Sequence, residues 1–252
     1  MIAVRALAAI VAPAAAVSLT VATIAPAIGA PAARSPAAAA TPVAALPPEL
    51  VVAKYAAALK ALKEPRVFAF EYTVQQTGPR TLEQTHRVFR SGKDERDETL
   101  AVNGNRSHTP VVRIFRGRPY RYAVTALAPK PSAYQFLYAG PHKNGKHADY
   151  VFDLVPKAKP PAVTFTQVTI DGLTFLPQTV AFSGPHAARG TVTFVKAERY
   201  WVARSANAQA KVPGGVAHEI LGFVHWRFPN ALPRSTFAMP RPLRTVAPAL
   251  LP

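Results

Sequence analysis

From Pro47-Pro48-Glu49 to Lys63, the apolar residues Leu50, Val51, Tyr55, Ala58, Leu59 and Leu62 recur at helical spacing, which predicts one amphipathic helix. Pro and Glu in its first turn, and Lys60 and Lys63 near its end, suit the helix dipole. After Glu64-Pro65 the period drops to two. Val67, Ala69, Glu71 and Thr73 fall on one side and Phe68, Phe70, Tyr72 and Val74 on the other, the pattern of a strand whose aromatic side must be covered. Gly78-Pro79 leads into a second alternating segment, Thr81 to Phe89, and Ser91-Gly92-Lys93 into a charged third, Asp94 to Val102. Strands joined by such short turns form an antiparallel meander. Asn103-Gly104-Asn105 is a further turn signal, and Val111 to Phe115 a short strand.

Between Arg118 and Ala148 the pattern weakens. Pro119, Pro129, Pro131 and Pro141 break it while Tyr120, Tyr122, Tyr134, Phe136 and Tyr138 keep it aromatic, and a short helix or loop is expected at Tyr120 to Leu127. From Tyr150 the strand period returns in five pieces: Tyr150 to Val155, Val163 to Ile170, Phe175 to Phe182, Gly190 to Val195 and Trp201 to Ala210. Asp171-Gly172 reads as a two-residue hairpin hinge. A last segment, Ala217 to Phe228, precedes a Pro-punctuated tail, 241–252. The fold class is mainly β (α+β): one helix, then a curved antiparallel sheet that either wraps the helix or closes into a barrel.

Composition adds the surroundings. Residues 1–30 read as an export signal, with Arg5 at a weakly positive start, an uncharged apolar run, and cleavage expected between Ala27 and Ala33; an uncleaved anchor is the alternative. Residues 31–47 are mostly Ala and Pro and read as a semi-rigid linker, leaving 48–240 for one β-rich domain. The expected location is therefore the periplasm or cell envelope. Cysteine is absent, which excludes a disulfide framework, a thiolate nucleophile, Cys-ligated metal and lipid attached to an N-terminal cysteine. A net charge of +17 suits contact with an anionic membrane surface, or serves general solubility; export argues against nucleic acid as partner.

Candidate chemistry is sparse. No Ser sits between glycines on a tight turn, and no phosphate-cradling glycine motif occurs. His218 with Glu219, and His225 beside Trp226, could serve as acid and base, but they lie on a strand pattern without a visible partner, so the reading is of a protein that is not an enzyme. His142 and His147 flank Lys143-Asn144-Gly145-Lys146; the two lysines disfavour a cation, and Asp149 is the one carboxylate near, so no metal and no cofactor are expected. Asp94, Glu95, Asp97 and Glu98 alternate with Arg96 like an exposed strand face rather than a calcium loop. What remains is a density of large apolar residues on strands: Phe68, Phe70, Tyr72, Phe89, Phe165, Phe175, Phe182, Phe194, Trp201, Phe223 and Trp226. Most such residues are ordinary core, yet a sheet curved over a helix can also leave an apolar cavity, and these are the residues expected to line it.

The order of helix, meander and second β block resembles the outer-membrane lipoprotein-sorting superfamily of LolA-like and LolB-like periplasmic carriers. The likeness rests on Ile170-Asp171-Gly172-Leu173-Thr174-Phe175-Leu176-Pro177 followed by Gly190-Thr191-Val192-Thr193-Phe194, and on the ending Trp226-Arg227-Phe228-Pro229-Asn230-Ala231-Leu232-Pro233-Arg234-Ser235-Thr236-Phe237. The resemblance implies an incomplete antiparallel barrel wrapped around an N-terminal helix, holding acyl chains of a lipid or lipid-modified protein on its concave side. It also implies an arginine that holds the helical lid closed, for which Arg96 is the nearest candidate. The leading expectation is thus an exported, monomeric carrier or sensor of a hydrophobic ligand. The alternative is a structural or protein-interaction module of the envelope whose core is filled with side chains.

Overall fold

The computed structural model of the protein describes residues 46–117, 119–144 and 147–239. The segment expected to be an export signal, most of the expected linker and the tail from 241 lie outside the described residues. At the linker's end, Leu46 already packs against the core and donates its N–H to the Tyr150 hydroxyl at 3.1 Å.

The helix α1 spans Pro48–Ala61, with Pro at its start, Glu49 in its first turn and Lys60 in its last. Its buried stripe is narrower than the periodicity suggests: Val51 and Tyr55 are fully buried, whereas Leu50 is exposed. The alternating segments form eleven strands: β1 Val67–Thr77, β2 Leu82–Ser91, β3 Asp94–Val102, β4 Asn105–Phe115, β5 Tyr134–Asn144, β6 His147–Pro156, β7 Thr164–Ile170, β8 Pro177–Gly184, β9 Ala188–Ala197, β10 Tyr200–Val212 and β11 Gly215–Arg227. A one-turn helix α2, Val124–Leu127, precedes β5, and a 3₁₀ turn, Arg234–Phe237, follows β11.

All eleven strands belong to one antiparallel sheet in the order β4-β3-β2-β1-β11-β10-β9-β8-β7-β6-β5. Two meanders, β1–β4 and β5–β11, are thus joined where β1 pairs with β11. The sheet curves but stays open, with β4 and β5 as its edges. The chain must therefore travel from one edge to the other between β4 and β5. It does so across the inner face, where Tyr120 packs on Phe68 of β1, Tyr122 on Phe223 of β11, and α2 against β10. This crossover and α1 cover the inner face of the sheet.

The weak segment before Ala148 thus contains a strand that periodicity missed. β5 carries Pro141, and β4 carries Pro110. A proline removes a ladder donor and is tolerated where one side of the strand has no partner, so both prolines sit on edges. The β7–β8 connection is longer than a two-residue hinge. Asp171 accepts hydrogen bonds on its side-chain Oδ1 from the N–H groups of Leu173 and Thr174 and from the Thr174 hydroxyl, and Phe175 turns at φ +55° before β8 starts at Pro177. The Asn103-Gly104 turn, by contrast, has positive φ at both positions, as a tight hairpin turn requires.

Candidate functional site

Of the aromatic residues expected to line a cavity, ten lie in or against the inner core: Phe68, Phe70, Tyr72, Phe182, Phe194 and Phe223 are buried, and Phe165, Phe175, Trp201 and Trp226 pack against them half-buried. Phe89 does not join them. It stands opposite Ala69, one step out of phase with Phe68 and Phe70, and so belongs to the outer face. Trp226 reaches the inner face through a bulge. Ala69 pairs with Arg227 and Glu71 with Val224, so His225 is the extra residue, at φ +54°. The bulge leaves Val224 and His225 both outward and re-aims Trp226 inward, where its ring stacks on Phe70 at 4.4 Å. Near β1 and β11 these rings, with Tyr120 and Tyr122, fill the space they share: Phe68 and Tyr120 lie 4.8 Å apart, as do Tyr122 and Phe223.

Beside the aromatic cluster the inner face turns ionic, which the sequence reading placed on an exposed face. Pairing puts His86, Val88 and Arg90 of β2 on the same side as Phe68, Phe70 and Tyr72, and sets Thr99, Asp97 and Glu95 of β3 opposite them. The Asp97 carboxylate accepts from the Tyr72 hydroxyl at 3.1 Å and lies 2.9 Å from His86 Nδ1, while the His86 ring stacks on Tyr72 at 4.5 Å. Arg90, 3% exposed, donates to Glu95 at 2.8 Å and lies over the Tyr120 ring. Burial holds the Glu95 carboxyl above its usual range despite Arg90, and burial together with Asp97 pushes the Tyr72 hydroxyl up. The alternation of β3 was readable; which side faced inward was not, because both sides are polar. Arg96 points the other way. It donates to Glu98 and to the carbonyls of Thr236 and Ala238, and so ties the C-terminal segment to β3.

The candidate binding site lies at the β5 edge. There the crossover and the β6–β7 connection enclose a groove of about 480 Å³. Leu127, Ala128, Tyr134, Pro156, Pro161 and Phe165 give it an apolar wall, and Arg121, Lys130, Lys157 and Lys159 bring four cations to the same groove. Lys157 is fixed by a 2.8 Å hydrogen bond to the Pro131 carbonyl, and Tyr134 by accepting the Phe165 N–H at 3.3 Å. Only Phe165 of the sequence-predicted lining residues is here. The lysines were legible as charge, but their convergence depends on the crossover reaching β5.

The acid and base candidates are separated by the pleat. His218 is exposed on the outer face, while its neighbour Glu219 is buried on the inner one. Burial raises the Glu219 carboxyl to about 7, and its Oε1 has no hydrogen-bond partner. His225 meets Glu71 at 3.0 Å on the outer face, away from the inward Trp226. His142 stands opposite Asp149 across the β5–β6 ladder, and the fold adds Asp171 beside His147 and Asp149. Residues 145 and 146 of the intervening turn lie outside the described residues.

No protein-family model and no curated protein matches the chain. Among solved structures it is similar to a LolA superfamily protein from Nitrosomonas europaea, with 12% identity, TM-score 0.43, and 77% of this chain and 99% of that one covered. A DUF1329 family protein from Desulfovibrio piger gives 11%, 0.43, 75% and 97%. A putative outer membrane lipoprotein-sorting protein domain from Vibrio parahaemolyticus gives 17%, 0.41, 73% and 94%. No helix among the described residues is long and apolar enough to cross a membrane.

Proposed function

We propose that the protein is an exported envelope protein that binds an anionic amphiphile, a lipid or the acyl part of a lipid-modified protein, and that it acts by binding rather than catalysis. The groove beside α2 carries this reading: an apolar wall and four cations converge on a space of about 480 Å³, within the range of about 300–1,000 Å³ common for small-ligand sites. Hydrocarbon buried there gains roughly 0.8 kcal/mol per methylene, while an anionic headgroup meets Lys130, Lys157, Lys159 and Arg121. The inner-face aromatics then serve as the packed floor that positions the crossover, and Phe165 is the one that touches ligand.

Mass spectrometry under native conditions, with lipid extraction, tests this on protein purified without detergent from a membrane-bearing host. Stoichiometric lipid, together with binding to phosphatidylglycerol vesicles that weakens in Lys130→Glu/Lys159→Glu, supports it. A second reading, a structural or protein-interaction module with a filled core, is favoured by the ring packing of Phe68, Phe70, Trp226 and Tyr120. A ligand-free mass that stays unchanged after incubation with the vesicles selects that second reading.

A further inference from the structure

At the end of the sheet where β6 begins and β7 ends, three potential metal ligands, two from β6 and one from the β7–β8 turn, converge. His147 and Asp149 stand on β6, two residues apart, and Asp171 follows β7. One ligand atom from each lies within 4.8 Å of the others. His147 Nε2 is 3.7 Å from Asp149 Oδ1 and 3.8 Å from Asp171 Oδ2. These separations are too long for hydrogen bonds, and Nε2 is buried with no hydrogen-bond partner. They suit a shared cation: an ion central to a triangle of that size sits roughly 2–2.5 Å from each corner, the range in which divalent first-row metals bind imidazole nitrogen and carboxylate oxygen.

The carboxylates are held in place by other bonds. Asp149, fully buried, accepts the Gly172 N–H on Oδ1 at 3.1 Å, and Asp171 spends Oδ1 on the turn it caps, which directs Oδ2 toward His147. Gly172 is needed for this approach, because a Cβ there would stand 2.0 Å from the Ala148 carbonyl oxygen.

The geometry points to a binding site for a divalent transition-metal ion, of the Zn²⁺ or Mn²⁺ class, formed by His147, Asp149 and Asp171. The imidazole nitrogen disfavours Ca²⁺ and Mg²⁺, which prefer oxygen donors. Such an ion staples the start of β6 to the β7–β8 turn, the same turn that carries Phe175 under Lys54 of α1. Its role is structural, at the place where the helix docks.

The test is calorimetric titration of the chelator-treated full chain with ZnCl₂ and separately MnCl₂, with thermal unfolding in parallel. The expected result is one saturable site for either ion, a raised unfolding midpoint, and affinity at least about tenfold weaker in His147→Ala and Asp171→Asn. Neither variant should fail to fold: the Nε2 of His147 makes no hydrogen bond, and Asn at 171 keeps an Oδ1 to cap the turn. His225→Ala, which removes a histidine on the outer face, should bind as the unaltered protein does. Absence of a saturable site for both ions, or His147→Ala binding as tightly as the unaltered chain, overturns the assignment.

Discussion

Replacing Glu219 with glutamine should remove a defined part of the protein's pH dependence. Glu219 stands on the inner face opposite Ala208 and Gln76, 8% exposed, with Oε1 unbonded. Burial there raises its carboxyl from the ordinary 4.5 to about 7. Because the folded state holds the proton more tightly than the unfolded chain, folding takes up protons between those values, and this group makes stability fall as pH rises from 4.5 through about 7. Below that window the group imposes no penalty, and above it the full penalty persists. At about 1.4 kcal/mol per pH unit the whole effect is about 3 kcal/mol. Glutamine has no proton to lose, so Glu219→Gln should match the unaltered protein near pH 4.5 and exceed it by up to about 3 kcal/mol at pH 8. Urea unfolding followed by the fluorescence of Trp201 and Trp226, at a series of pH values, measures this. Comparing variant with parent cancels other titrations, such as that of Glu71, where the hydrogen bonds from His225 and Arg87 overcome burial, hold the carboxyl low, and make stability fall as pH drops. A difference between the two proteins that stays constant from pH 4.5 to 8 would refute the argument.

Three further outcomes are expected. Arg90→Met removes the cation 2.8 Å from the buried Glu95 carboxylate and should cost about 3–5 kcal/mol in urea unfolding, with much of it recovered in Arg90→Met/Glu95→Leu; a loss below about 1 kcal/mol would show the pair to be well solvated. Gly190→Ala places a Cβ 2.1 Å from the Asn207 carbonyl oxygen and 2.7 Å from the Phe182 ring; forcing β9 from β10 should cost about 1–3 kcal/mol, read as a lower thermal midpoint. Tyr55→Phe deletes the 2.8 Å bond from α1 to the Pro129 carbonyl on the crossover and should cost about 1 kcal/mol, with faster hydrogen exchange in α1 but not in β1.

Local pattern carried much of the architecture. The α1 stripe, the alternation of Val67 to Val74 and the Asn103-Gly104 turn each follow from backbone periods of 3.6 and 2 and from the positive φ that a tight hairpin demands. Where alternation is present but the pairing partner is distant in the chain, local pattern leaves the inner and outer faces undistinguished. Phe89 and Glu95 show this: each sits in a correctly assigned strand, yet its face depends on pairing with β1 and β2, and one step of register exchanges the two sides. β5 was hidden because Pro141 reads as a strand breaker unless one edge is known to be free. The groove required the crossover to bring Lys130 beside Lys157 and Phe165, and the His147, Asp149 and Asp171 group required the start of β6 to meet the β7–β8 turn. The sequence by itself determined α1 and most of the strands, the absence of cysteine chemistry and the basic charge, since these depend on composition and near neighbours. Only the tertiary structure decided which face is inner, where the cations gather and which ligands converge, because those depend on contacts between residues far apart in the chain, set by register and by the path between the two sheet edges.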